Sequence, residues 1–365
     1  MSLQIGIVGL PNVGKSTLFN ALTKAGAQVA SYPFTTIEPN VGVVEVSDPR
    51  LADIAALVQP ERAVPASVEF LDIAGLVRGA HHGEGLGNQF LGYIRNVDAI
   101  LLVVRCFRDP DIPHVTAELN PVEDMEIIDL ELALADLAAV ERRLEKVQSQ
   151  AKGRPTAYEA EINLLERARD HLSAGGHVAK LPMTTKEARM LDPLNLLTAK
   201  PRIYIANVGE EDLPTGGKLA AQVRRRAQDE GTKAVTICAQ VEADLAEWPP
   251  GEAAEYRRSL GLEKSALEDL IQASYELLGL ITFFTATGKR EVRAWPIKGG
   301  TKAPQAAGKV HSDMERGFIR AEVVSYEDLM ASGSLVAARE KGLMRLEGRD
   351  YVVQDGDVIH FRFSV

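Results

Sequence analysis

The spacing of hydrophobic positions shifts along the chain, and each shift marks a different kind of element. Residues 5–9 form a short apolar run entering a glycine-bounded loop, and the three-to-four spacing over 16–24 predicts the helix that leaves it. Two further runs, 68–73 and 99–105, are aliphatic and β-branched, with intervening segments able to form crossovers, which predicts a parallel sheet in an α/β domain. From residue 127 the period lengthens. Leu130, Leu134, Leu137, Leu144 and Val147 recur with Glu131, Glu141, Arg142, Arg143, Glu145 and Lys146 between them, the pattern of a long amphipathic helix. Gly153, Arg154 and Pro155 break it, and Tyr158, Ile162, Leu165 and Leu172 resume the spacing as far as Gly175 and Gly176. Two antiparallel helices, an α-helical coiled-coil hairpin, are the simplest arrangement.

Short apolar strands at 202–207 and 235–239, around a basic helix at 218–229, return to the first pattern, so the hairpin reads as an insertion. The expected division is a discontinuous α/β domain, 1–126 and 200–278, a helical insertion, 127–199, and a β-rich terminal domain, 279–365. That last domain is expected from strands at 281–285, 291–294, 318–324, 351–353 and 358–363, with turns at Gly288, Gly299, Gly300, Gly348 and Gly356. With 45% hydrophobic and 25% charged residues in 365, the chain can bury sizeable cores and is neither disordered nor collagenous. Its net charge of -10 opposes a general attraction to nucleic acid, so an RNA or ribosome contact needs a local basic patch. Cys106 and Cys238 form no disulfide framework and have no zinc or redox spacing, and no disulfide-linked partner is expected. The longest wholly apolar run, 99–104, is too short for a membrane span, and no signal segment is evident. A cytoplasmic protein is the expectation.

The chemistry concentrates in a few motifs. Gly9-Leu10-Pro11-Asn12-Val13-Gly14-Lys15-Ser16 fits the G-x-x-x-x-G-K-[ST] phosphate loop and lies between a predicted strand and a predicted helix. Glycines let backbone N–H groups turn toward phosphates, Lys15 places a charge on the β- and γ-phosphates, and Ser16 can ligate Mg²⁺. Asp72-Ile73-Ala74-Gly75 ends the 68–73 strand, where the carboxylate can hold Mg²⁺ through water and Gly75 can sense the γ-phosphate. Between these motifs, in 34–40, Thr36 is the first candidate and Thr35 the second to close over Mg²⁺, which makes 33–40 a candidate switch.

Base recognition is where the sequence becomes unusual. GTP-binding domains of this class carry Asn-Lys-x-Asp after a strand, whereas this chain has Asn207-Val208-Gly209-Glu210. The carboxylate is one methylene longer, which displaces the acceptors that guanine needs and makes adenine a serious candidate. Cys238 and Ala239 would touch the base or sugar. Leu76 stands where many Ras-type GTPases place a water-orienting glutamine, so hydrolysis must be slow or recruit another group. His114 is a candidate, the alternative being a loop histidine with a structural hydrogen bond. Asn12 is a candidate to help a monovalent cation such as K⁺ reach the phosphates. The glycines at 79, 83, 85 and 87 fit a switch loop rather than a dinucleotide fingerprint, His81 and His82 a solvated loop, and Arg224 to Arg226 a solvated helix face. Lys298, Lys302, Lys309, Arg316 and Arg320 form a glycine-framed basic loop suited to RNA.

Taken together, GLPNVGKS, PFTTIEPN, DIAGLVRG, GEGLGNQFL, NVGE and the terminal APQAAGKVHSDMERGFIRAEV resemble the YchF family of Obg-like ATPases over nearly the whole chain. The resemblance implies a Ras-like P-loop NTPase domain, a coiled-coil hairpin and a C-terminal β-rich TGS (ubiquitin-like) domain. It also implies hydrolysis of ATP in preference to GTP, and association with ribosomes. By position it implies that Asn12, Val13, Gly14, Lys15, Ser16 and Thr17 bind phosphate and Mg²⁺. Thr36 and 72–75 would act as switches, and Asn207, Val208 and Glu210 would meet the base. His114 matches a histidine of relatives. Two departures stand out: His81-His82 occupies a loop where some relatives have Ser-Lys, and Met314 stands where phenylalanine is usual. The sequence leaves two other readings open, a translation-associated GTPase and an RNA- or ribosome-binding module for which nucleotide is only a structural ligand.

Overall fold

The computed structural model describes residues 3–26, 39–73, 75, 86–114, 118–153, 155–287 and 290–364. They form two compact units, 1–44 with 69–274, and 45–68 with 275–365. The strands, in chain order, are β1 (Gln4–Val8), β2 (Asn40–Val46), β3 (Arg62–Val64), β4 (Ala66–Asp72), β5 (Ala99–Cys106) and β6 (Arg202–Val208). There follow β7 (Lys233–Ile237), β8 (Leu280–Thr287), β9 (Glu291–Lys298), β10 (Phe318–Ser325), β11 (Arg345–Glu347) and β12 (Asp357–Phe363).

The sheet of the first unit has the order β2-β4-β1-β5-β6-β7, with β1 parallel to β4 and β5, and β6 parallel to β5 and β7. Every residue of β5 and β6 is buried, which is why both read as continuous apolar runs instead of alternating ones. Parallel strands leave all their carboxyl ends on one edge, where ligands of such sheets bind. That edge collects the loop after β1, Asp72 at the end of β4, 107–113 after β5, Asn207 at the end of β6, and Cys238-Ala239 after β7.

The hairpin helices are Pro121–Ala151 and Pro155–Ser173. The first starts six residues before the expected 127. Asn120 caps it by accepting from the Val122 and Glu123 N–H groups, Pro121 occupies the first turn, and Glu123 and Asp124 complement the positive helix end. Val140, Leu144 and Val147 pack on Leu164, Leu165, Ala168 and Leu172 along the paired length. Nearer its start the helix departs from the expected stripe: Ile128 and Leu132 are buried, while Leu130 is 55% exposed. There the helix lies against β5 and the helix Gly217–Glu230 as well as its hairpin partner, so its buried face is rotated.

The second unit holds a sheet of order β11-β10-β12-β8-β9-β3, in which β12 and β8 are parallel, as are β3 and β9, and the other described pairs are antiparallel. Helix Ala303–Val310 packs Ala303, Ala306 and Ala307 on Phe283, Phe318 and Phe361. Two expectations are corrected. Residues 351–353 are no strand but an isolated Lys302–Val352 bridge, flanked by hydrogen bonds from the Ala303 N–H to the Tyr351 carbonyl and from the Val353 N–H to the Thr301 carbonyl. The basic segment at 302–316 is two helices, Ala303–Val310 and Ser312–Arg316, rather than a loop, because its alanines supply a helical face to the core. Met314 packs against that core, filling an apolar position with a flexible thioether.

Candidate nucleotide site

The loop after β1 is held in a shape that most residues resist. Asn12 and Gly14 both take positive φ, 62° and 92°. A Cβ on Gly14 would also collide with the side-chain amide of Asn207, so glycine is required there twice over. Lys15 and Ser16 open the helix Lys15–Gly26, whose exposed N–H groups and dipole favour an anion. The Lys15 side chain is buried, and its Nζ donates to the Leu10 carbonyl at 2.7 Å. Burial pulls its pKa down from 10.5 to about 8, opposed in part by Asp72.

Asp72, paired in register with Ile7 of β1, accepts from the Ser16 hydroxyl through Oδ2 at 2.8 Å. Its Oδ1 is buried without a hydrogen-bond partner among the described residues, and burial pushes the carboxyl above its usual range despite Ser16 and Lys15. An orphaned carboxylate oxygen beside a serine hydroxyl is the donor set of a hard divalent cation. Gly75 lies against the phosphate loop, where a Cβ would stand 3.1 Å from the Pro11 nitrogen and 3.2 Å from Lys15 Nζ. Residues 35, 36, 76, 81 and 82, with the readings made for Thr35, Thr36, Leu76, His81 and His82, lie outside the described residues.

Asn207 ties three motifs together. Its Nδ2 donates to the Val13 carbonyl at 2.8 Å, and its Oδ1 accepts from the Ala239 N–H at 3.0 Å. It therefore braces the phosphate loop against the 238–239 segment. Around it opens a cavity of about 490 Å³ whose lining includes Asn12, Gly14, Thr17, Val208, Glu210 and Cys238. Cys238 precedes the helix Ala239–Leu245, and burial raises its thiol pKa. The opposite wall comes from Phe107, Arg108, Asp109 and Ile112, a segment whose function the sequence did not signal beyond its histidine.

That wall is built on Arg105. The side chain is 3% exposed and spends its fork on backbone carbonyls of Phe107, Asp109, Ile112 and Pro113, at 3.1–3.4 Å, with the Phe107 ring over its guanidinium. Asn12 in turn donates to the Pro113 carbonyl at 3.2 Å. A buried arginine inside an apolar strand was the available signal, since only a dense set of acceptors tolerates it there. His114 is held through Nε2 by Asp124 Oδ1 at 3.2 Å, and its Nδ1 is buried with no partner among the described residues. Burial raises the Asp124 pKa, against the pull of His114.

A parallel sheet carrying this loop and these strand-end motifs defines the class: a phosphate-loop NTPase domain of Ras-like build. Comparison with known proteins narrows it. A family model for MMR_HSR1, "50S ribosome-binding GTPase", matches residues 4–156, and one for YchF-GTPase_C, "Protein of unknown function (DUF933)", matches 280–364. The chain is 50% identical to the "Ribosome-binding ATPase YchF" of Bacillus subtilis, and 51% identical to that of Escherichia coli O157:H7, each over 100% of both chains. The solved "Schizosaccharomyces pombe YchF GTPase" is 37% identical, covers 99% of this chain and 98% of its own, and superposes with a TM-score of 0.88. The chain belongs to the YchF family.

Proposed function

We propose that this phosphate-loop nucleotide hydrolase is a Mg²⁺-dependent ATPase switch that associates with the ribosome and takes ATP in preference to GTP. The observation that carries the reading is the convergence of the phosphate loop, Asn207 to Glu210 and 238–239 on one cavity, with glutamate at the base-reading position. The names of its full-length bacterial relatives support ATP and the ribosome as ligands. Among the described residues no helix is long and apolar enough to cross a membrane. The ribosome-binding names of its relatives support a cytoplasmic location.

In this reading Asn12 to Thr17 hold the phosphates, Lys15 neutralises charge gathering on the transferred group, and Gly75 reports the γ-phosphate. Ser16, Asp72 and Thr36 would hold Mg²⁺, which supplies electrostatic stabilisation of the phosphates when bound. Asn12 assists a monovalent cation such as K⁺, and His114 orients or deprotonates the attacking water. Asn207, Val208, Glu210, Cys238 and Ala239 surround the base and its sugar. A basic face of the 279–365 region meets the ribosome, and the helical segment 127–199 transmits the nucleotide state.

Removing Lys15 as Lys15→Ala should abolish ATP hydrolysis by the purified protein, and unchanged turnover would sink the proposal. Guanine remains the competing base, favoured by the name of the solved Schizosaccharomyces pombe relative, a YchF GTPase. Calorimetric titration of ATP against GTP with Mg²⁺ decides between them. Cosedimentation with ribosomes in ATP, ADP and no nucleotide tests the switch: indifference to nucleotide would leave a binding module for which the nucleotide is structural.

A further inference from the structure

Glu210 does not stand alone at the cavity. It opens a short turn, Glu210–Asp212, directly after the buried strand β6, and its side chain is exposed at the rim. From the helix Pro250–Ser259, the Tyr256 hydroxyl donates to Glu210 Oε1 at 2.6 Å. Tyr256 is itself steadied by Trp248, whose ring centroid lies 5.3 Å away at a 56° tilt. Glu210 is among the residues lining the cavity and Tyr256 is not, so the tyrosine acts from behind the carboxylate.

We propose that Tyr256 is a specificity-determining positioning residue that sets base choice by engaging one oxygen of Glu210. This rests on the reading of Glu210 as the base-facing carboxylate. The argument is a count of donors and acceptors. Guanine offers two adjacent donors, N1–H and the 2-amino group, and rewards a carboxylate that presents both oxygens side by side. Adenine offers one donor on that edge, the 6-amino group, next to an acceptor nitrogen. With Oε1 turned to Tyr256, Glu210 has Oε2 left to face the base, which matches adenine and leaves one guanine donor unpaired. A donor buried without its partner is what a site rejects most strongly. The hydrogen bond also raises the Tyr256 pKa, as expected for a phenol donating to a carboxylate. The lengthening of aspartate to glutamate and the placement of a tyrosine behind it thus act in the same direction.

The test compares Tyr256→Phe, Glu210→Gln and the parent protein by calorimetry with ATP and GTP in Mg²⁺. A ring of the same shape without the hydroxyl frees the carboxylate, and the ATP-to-GTP affinity ratio should fall about fivefold in Tyr256→Phe, the worth of one hydrogen bond. The ratio is the readout because a loosened helix would weaken both nucleotides alike. If Glu210→Gln shifts the ratio and Tyr256→Phe leaves it unchanged or raises it, the tyrosine role is wrong while Glu210 still reads the base. If neither substitution moves the ratio, Glu210 does not read the base and both ideas fall.

Discussion

Burial places Lys15 where its charge responds to ligand and pH together. Its folded-state pKa, about 8, lies below the 10.5 of a free lysine, so between these values the folded protein binds fewer protons than the unfolded chain. The contribution of this group to stability therefore rises with pH through that window and is lowest below it. A triphosphate beside Lys15 favours the charged form and moves the pKa back up. ATP binding at pH 8–9 should then take up a fraction of a proton, and affinity should fall as pH rises past 8. Titrations in two buffers of different ionisation enthalpy measure that uptake, and identical heats after buffer correction to zero protons would refute it. Asn207 offers a second residue-scale prediction. Replacing it by alanine leaves the Ala239 N–H and the Val13 carbonyl without their partner in a buried setting, a loss of about 1–3 kcal/mol. Chemical denaturation should show the destabilisation, accompanied by weaker binding of ATP and GTP alike.

The segment 107–113 is braced from below by one arginine, in addition to its own turn, in which Asp109 accepts from the Asp111 N–H. Arg105→Lys keeps the charge and loses the planar fork, so the carbonyls of Phe107, Asp109, Ile112 and Pro113 lose a shared donor. ATP affinity should drop about tenfold in calorimetry while the fold persists, and an unchanged affinity would mean that the wall holds itself. The middle of the first hairpin helix carries a comparable device. Asp136, fully buried, accepts from the Leu197 and Thr198 N–H groups and the Thr198 hydroxyl. Asp136→Ala removes these bonds together with the contact to Arg95 Nη1 at 3.5 Å, and should cost about 3 kcal/mol, read as a lower melting temperature.

The charge of the whole molecule is -10, yet residues 279–365 hold 13 Lys and Arg against 11 Asp and Glu. An acidic protein approaching an RNA-rich particle is repelled on average, so contact has to run through such a region. Lys298 and Arg320 are both exposed there. Reversing the two together, Lys298→Glu with Arg320→Glu, should reduce ribosome cosedimentation severalfold and steepen no salt dependence, leaving ribosome-free ATP hydrolysis unchanged. Equal cosedimentation would move the contact elsewhere.

Local chemistry wrote the phosphate loop, the strand ends, the helix break at Gly153 to Pro155 and the Asn207 to Glu210 departure into the chain. Each depends on residue type and spacing that tertiary packing does not alter: glycine where φ is positive, lysine and serine at a helix start, and apolar runs in doubly covered parallel strands. What the fold alone decided are the partners. Asn207 spans to Val13 and Ala239 because parallel strands gather their ends on one edge, a proximity of residues nearly two hundred positions apart that carries no local signature. The rotated stripe that exposes Leu130, the grouping of 45–68 with 275–365, and the two helices at 302–316 arise in the same way, from faces that find their cover only after the chain has closed. Three-residue strands such as β3 and β11 are too short to show a period at all, and exist because a neighbouring strand offers them hydrogen bonds. Tyr256 and Arg105 belong to this second group: a half-buried helix tyrosine and a strand arginine are ordinary in sequence, and acquire meaning from the carboxylate and carbonyls that tertiary structure brings to them.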